Sequence, residues 1–462
     1  MTFQGGRFKT ALVSLVTAAA VAAMPVAATA ADNEKARLPV VRDAEIESLV
    51  LDYARPVLKA AGLSRSGIEI VLVNDPAFNA FVAGRRIFIN TGTILGSATP
   101  NQVIGVLAHE IGHLAGGHQS RLREQIERAK TISVVASLLG AGVMAAGAAT
   151  GTRGLAQAGG GIMAGGGTIA MRNLFSYQRS EEATADRSAL VYLEKIHQSP
   201  RGLLETFDTL ARNDLFSTSR SSGYLSSHPA PRERIANLET TAKQSPYYDE
   251  ADSLELLKRH DMARAKIAAY AGGASAVRST FLKDPRSEAA AYGDAIATEL
   301  NGAPADALAK IDALIKRDPK VPWFHEVRGE ILMQSRRSEE AAAAFARAAA
   351  LDTSKSGLLQ ASIGQALVTS GKAEEMPKAI QQIRRGLIAD PDNSTAYRFL
   401  AMAYNQVGDV GNAELATAEG YWHAGALKQS QVFAARAQQK LKPGTPGWRQ
   451  AQDILTFRRP KD

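Results

Sequence analysis

His109, Glu110 and His113 stand in the spacing HExxH, and sixty-nine residues beyond His113 comes Glu182, followed four positions later by Asp186. On a helix, positions i and i+4 share a face. His109 and His113 can therefore present two imidazole nitrogens to one cation while Glu110 lies beside a bound water. A hydrolytic zinc site needs three protein ligands and one open position. Glu182 is the natural third ligand, and Asp186, one turn on, can accept the second ring N–H of a ligating histidine and fix its tautomer. These residue types point to one Zn2+ per chain, with Glu110 as the general base of a hydrolysis.

A helix must carry the first motif. Thr99-Pro100-Asn101-Gln102 supplies a capping residue, proline at the first helical position and glutamine three residues after the cap, and Gly116-Gly117 supplies the end. Between them Val103, Leu107, Ile111 and Leu114 form one apolar stripe, with His109 and His113 predicted on the opposite side, away from the main packing surface. A three-histidine motif of the HExxHxxGxxH kind would need histidine at 119, where this chain has Gln119. His118 stands one residue early, so its register disfavours a ligand role, and it reads as a polar helix-end residue.

Upstream, Asp43 to Ala61 has helical periodicity ending at Gly62, with a kink expected at Pro56. Ile68 to Val73, Phe78 to Val82 and Arg86 to Asn90 read as short strands of one sheet, and Phe78 to Ala83 is the candidate edge strand for an extended substrate. Downstream of the zinc helix, Thr131 to Ala149 and Leu155 to Met171 carry no charge, with Arg153 between them. The second run is rich in glycine and reads as poor helix. The leading reading of 131–171 is a hydrophobic flap that touches a membrane surface or covers the cleft. A spanning hairpin and a buried helix pair are the alternatives.

From about Ser287 a repeat emerges: Asp318-Pro319 and Asp352-Thr353 are thirty-four residues apart, and Asp390-Pro391 follows at thirty-eight. Gly329, Ala341, Phe345 and Ala348 fall where tetratricopeptide repeats place small residues and one aromatic. Ala307 and Pro319 fit the unit before, and Ala401, Tyr404 and Ala413 a later one. Three to four stacked helix pairs are expected, with a concave groove for a peptide or protein partner.

Composition sets the setting. Met1 to Ala30 has Arg7 and Lys9, an acid-free apolar run from Thr10 to Ala28, and Ala28-Thr29-Ala30 as a small-residue cleavage site. Export to the periplasm with cleavage near Ala30 is expected, and an uncleaved anchor is the rival. The chain has no cysteine, which excludes disulfides, cysteine ligands and a lipoprotein anchor. The formal charge of +8 is mild for this length, and no nucleic-acid motif accompanies it.

With these residues in hand, the chain resembles the HtpX/BepA-type zinc metallopeptidases, a gluzincin group whose periplasmic branch joins a peptidase domain to tetratricopeptide repeats. The segments that carry the likeness are HEIGH with a histidine five positions on, the block from Tyr177 to Asp186, Tyr224-Leu225 through His228-Pro229 to Arg234-Ile235, and Asn79-Ala80-Phe81 ahead of Ile87 to Gly92. The resemblance implies His109, His113 and Glu182 as ligands, Glu110 as base and Asp186 behind a ligand. It also makes His228 a candidate fourth ligand that would close the open position and hold a self-inhibited resting state. Arg234, Arg232 and Tyr224 are candidate oxyanion donors.

The expected architecture is an α+β zincin-like peptidase domain, mostly helical with a small sheet, followed by an all-α repeat solenoid. Its parts are a signal at 1–30, the peptidase domain at 31–262 with the insertion 131–171, a helical linker at 263–286 and repeats at 287–455. The implied substrates are unfolded or misassembled envelope and outer-membrane proteins. The alternative function is a non-proteolytic periplasmic chaperone or scaffold with a structural zinc.

Overall fold

The computed structural model describes residues 38–65, 67–149, 153–216, 228 and 232–458. The expected signal at 1–30 lies outside them. Strand β1 (Val40–Val41) leads into helix α1 (Ala44–Ala60), then β2 (Glu69–Val73), β3 (Ala80–Ala83) and β4 (Arg86–Asn90). Asp43 starts α1 by accepting from the Ile46 N–H, which satisfies one of the unpaired donors of the first turn. The helix continues through Pro56, because that residue is on its exposed face and the carbonyl it leaves unbonded can meet water.

The sheet has the order β1-β2-β4-β3, with β2 and β4 parallel and the outer pairings antiparallel. Ile87 and Ile89 alternate inward from β4 and are fully buried against Leu49, Val50 and Tyr53 of α1. A short helix α2 (Thr91–Gly96) follows, and then α3 (Pro100–Gly116), which carries the HExxH segment. Pro100 occupies its first turn, and Gly117, at φ 65°, ends it. Thr99 makes no side-chain cap; Asp252 does that work from a distance, its Oδ2 accepting from the Asn101 N–H at 2.9 Å, while Gln102 Oε1 accepts from the Ala98 N–H just ahead of the helix at 2.6 Å.

The two-faced helix expected for α3 is not what forms. Val103, Leu107 and Ile111 are fully buried, but so are Val106, Ala108 and His109. Helix α3 is central, with α1 on one side and α5 (Arg153–Lys195) and α6 (Arg201–Phe216) on others, so its histidines face another helix and not an open surface. Each large aliphatic side chain buried here contributes about 1.5–3 kcal/mol.

Helices α4 (His118–Ala149) and α5 pair along a long hairpin. The glycine-heavy run is helical where poor helix is predicted, since pairing with a neighbour outweighs a propensity cost of about 1 kcal/mol per glycine. Ile132, Val134, Val135, Leu138 and Leu139 on α4 are exposed, which sets aside the buried helix pair. By length and composition alone, the stretch His118–Ala145 is long and apolar enough to cross a membrane.

After α7 (Arg232–Ala242) comes α8 (Leu254–Thr280), a helix that runs straight through the expected boundary at 262/263 and bends at Gly272 and Gly273. Ala263 and Ile267 of α8 join the peptidase core while Met262, Ala265 and Ala268 join that of the repeats. The segment read as a linker is therefore a shared structural element.

The described repeats form five hairpins, one or two more than expected: Glu288–Leu300 with Pro304–Arg317, Pro322–Gln334 with Ser338–Leu351, Gly357–Ser370 with Met376–Ala389, Ser394–Gln406 with Val410–His423, and Leu427–Lys440 with Pro446–Thr456. No Asp-Pro or Asp-Thr step like those at 318, 352 and 390 precedes the last, and Thr445 caps its second helix, accepting from the Trp448 N–H. The stack is tied back to the peptidase domain. His260 reaches Tyr53 Oη at 3.0 Å and the Ser97 carbonyl at 2.9 Å, and Arg42 pairs with Asp390 at 2.9 Å. A cavity of about 840 Å³ lies between β2 and the inner face of the repeats, lined by Arg42, Glu69, Ile70, Gln365, Asp390 and Phe399 among others.

Candidate metal centre

Gly112 lets the ligand-bearing helices meet. A Cβ at this position would stand 2.9 Å from the Ala185 carbonyl oxygen, so α5 approaches α3 more closely than a larger residue allows. That contact brings Glu182 and Asp186, one turn apart on α5, up to the histidines of α3. His113 Nε2 lies 3.0 Å from His109 Nε2 and 3.3 Å from Glu182 Oε1, and His109 Nε2 lies 3.4 Å from Glu182 Oε2. His228 joins them, its Nδ1 at 3.0 Å from Glu182 Oε1 and 3.4 Å from His109 Nε2. One donor atom from each of the four residues falls within 4.8 Å of the others.

The donor set fits a divalent cation. Two imidazole nitrogens and a carboxylate converge on one point, and burial leaves little water to separate them. Glu110, Glu182 and Asp186 face a single guanidinium, Arg234, so with neutral imidazoles the buried group carries two negative charges in excess. Glu110 is 1% exposed and neither of its carboxylate oxygens has a hydrogen-bond partner among the described residues. Its Oε1 has only a longer contact, 3.5 Å to His228 Nε2, and a buried carboxyl without a hydrogen bond is costly and calls for a ligand, a cation or a role in chemistry.

The electrostatics show the same imbalance. Burial alone would push the His109 imidazole down, but Asp186 and Glu182 beside it raise it to about 9. Burial would raise the Glu182 carboxyl, yet its contacts with His109, His113 and His228 hold it well below the usual carboxylate range. Burial pushes the Glu110 carboxyl up. Without a metal, His109 supplies the positive charge that the carboxylates demand.

His109 Nδ1 lies 2.9 Å from Asp186 Oδ1, the contact expected of a histidine that ligates through Nε2. Arg234, a candidate oxyanion donor, is engaged by carboxylates. Its Nη2 donates to Asp186 Oδ1 at 2.8 Å and its Nη1 pairs with Glu182 Oε2 at 2.8 Å, so the guanidinium is committed to the carboxylates and sits over the Phe207 ring. Tyr224 and the side chain of Arg232 lie outside the described residues.

The cleft leading to this centre has a volume of about 200 Å³ and is lined by Phe81, Val82, Glu110, His113, Tyr177 and His228 among others. Strand β3 is the sheet edge beside it, shorter than the 78–83 expected. Gln119 occupies part of that edge as a main-chain mimic: its Nε2 donates to the Val82 carbonyl at 3.0 Å and its Oε1 accepts from the Gly84 N–H at 2.7 Å. His118, read from sequence as a polar helix end, is buried against His113. The Gln119 role has no local sequence signal, because it depends on how α4 meets β3; for His118 the signal is the Gly116-Gly117 pair that lets the ring fold back on His113.

Residues 41–242 match the sequence family described as peptidase family M48. The chain is 23% identical to the beta-barrel assembly-enhancing protease of Escherichia coli (strain K12), over 88% of this chain and 82% of that one. It is 24% identical to the protein of the same name from Yersinia pestis, over 89% and 83%. Among solved structures, a tetratricopeptide repeat protein from Parabacteroides merdae matches 55% of this chain and 97% of its own, at 12% identity and a TM-score of 0.28. The stretch that matches peptidase family M48, residues 41–242, holds the His/His/Glu donor set, and the chain is a metallopeptidase similar to that family.

Proposed function

We propose that the chain is an exported, periplasmic zinc metalloendopeptidase that cleaves unfolded or misassembled envelope and outer-membrane proteins. The observation that carries the catalytic part is Glu110, a buried carboxyl without a hydrogen-bond partner beside four converged donor atoms. His109, His113 and Glu182 would hold the zinc. When bound, zinc supplies an acidified water and polarises the scissile carbonyl. Glu110 takes the proton of the attacking water and passes it to the leaving amine. Asp186, fixed by Arg234, keeps the His109 proton on Nδ1 and so keeps Nε2 free to ligate. The groove between β2 and the repeats suits a client or partner, and the exposed apolar face of α4 suits peripheral contact with a membrane. The names of the relatives support the choice of substrate class.

His228 favours a second reading. Four converged ligands describe a closed site, as in a structural zinc, and a chaperone or scaffold would need nothing more. Under the peptidase reading His228 is a displaceable stopper, and a substrate must move it aside. Glu110→Gln in the full chain separates the two. The peptidase reading expects metal content unchanged and cleavage of an unfolded protein down by about 10²–10⁴-fold. Equal, negligible cleavage by wild type and variant favours the scaffold. His228→Ala is expected to raise the rate with zinc retained, whereas loss of the zinc would identify it as a structural ligand.

A further inference from the structure

The two ligand histidines are backed differently. His109 has a carboxylate directly behind it, in Asp186. His113 has another histidine: His118 Nδ1 lies 2.9 Å from His113 Nδ1, with the rings nearly perpendicular at 88°. The far nitrogen, His118 Nε2, lies 2.8 Å from Glu181 Oε2, and Arg121 Nη2 holds the same oxygen at 2.9 Å. Arg121 Nε also donates to Tyr177 Oη at 3.2 Å.

Proton positions follow from the donors required. His113 turns Nε2 toward His109 and Glu182, so as a ligand it carries its proton on Nδ1. That N–H needs an acceptor, and His118 Nδ1 is one only if His118 carries its own proton on Nε2. Glu181 Oε2 stands against that Nε2, and Arg121 holds the same oxygen from the other side. Each member thus fixes the tautomer of the next.

The backbone is built for this contact. Gly117, at φ 65°, reverses the chain so that His118 folds back over the end of its own preceding helix. A Cβ on Gly116 would stand 2.1 Å from His118 Nε2, so only glycine leaves room for the ring. His118 is 4% exposed, with Nδ1 against His113 and Nε2 in contact with the Glu181 carboxylate, which offsets the cost of burying the ring.

We propose that His118 is a positioning residue for the metal: backed by Glu181 and Arg121, it fixes the ring orientation and tautomer of His113. The inference rests on the reading of His109, His113 and Glu182 as metal ligands. His118, Glu181 and Tyr177 also line the cleft that leads to the candidate metal centre.

The test uses the full chain loaded with zinc, timing zinc transfer to an excess of chelator, together with the visible absorption of the cobalt-substituted protein. His118→Ala is expected to release zinc about 10–100-fold faster, with displaced cobalt bands. His118→Asn, whose Oδ1 can accept the His113 proton, restores most of the retention. Gly116→Ala leaves every polar group present but displaces the ring, and reproduces the His118→Ala result. An unchanged release rate and cobalt spectrum in His118→Ala overturns the proposal. So does a loss that His118→Asn does not restore and Gly116→Ala does not reproduce, since that is the behaviour of a packing residue. A wild type that binds no metal removes the ligand reading itself, before any comparison of variants.

Discussion

Two clusters of buried charge, each with more carboxyl groups than cations, resolve the excess in opposite ways. At the metal centre Glu182 and Asp186 are both held below the usual carboxylate range, so they stay anions and demand positive charge. At the junction between α1 and the repeats, Lys266 is 1% exposed and pairs with Asp43 at 2.7 Å and Glu326 at 3.0 Å, with Glu45 at 3.5 Å. Tyr292, Glu299 and Glu330 face the same cluster from neighbouring repeat helices. There burial dominates. It pushes Glu326 well up and Glu45 and Glu330 to about 7, so the surplus is absorbed as protons. One cluster is complete with its lysine, and the other draws further positive charge, from a metal or, without one, from the His109 imidazolium.

The contrast has consequences for stability. Lys266→Met leaves several carboxyl groups buried without their cation and is expected to destabilise the chain by about 3–5 kcal/mol in denaturant melts. A loss under 1 kcal/mol would mean that the junction is not held by this lysine. A smaller effect concerns pH. The Glu45 carboxyl is raised by burial from 4.5 to about 7, so its contribution is fully present below about 4.5 and is lost as pH rises through about 7. Thermal melts of the metal-free chain are expected to show stability falling over that window, by no more than about 3 kcal/mol, and Glu45→Gln flattens the slope. Glu182 and Asp186 have the opposite sign, since their contribution is lost as pH falls. A stability that only rises from pH 5 to 8 would break the comparison.

What was legible in the sequence is what local periodicity can carry. HExxH and ExxxD declare their helices and the face each residue takes, and Pro100 and Gly117 mark where the first helix begins and ends. The convergence of His109, His113 and Glu182 was readable for that reason. The contacts of His118 with Glu181 and of Gln119 with Val82 were not, because those partners come from another helix and a strand. Arg234 was read as a donor toward substrate, but its commitment to two carboxylates depends on the docking of α7 against α5. The Lys266 cluster draws on residues 43, 45, 266 and 326, whose separation in sequence leaves no pattern to read. The burial of α3 on every side was hidden likewise, since an apolar stripe shows one contact face and says nothing of later helices that cover the rest.

The most direct test of the account is elemental analysis of the purified full chain beside Glu182→Ala, each after zinc loading and removal of free metal. The account predicts one zinc per chain in the wild type and none retained by the variant, with both folded. A wild type that retains no transition metal, or a Glu182→Ala variant that holds zinc as firmly as the wild type, would contradict it.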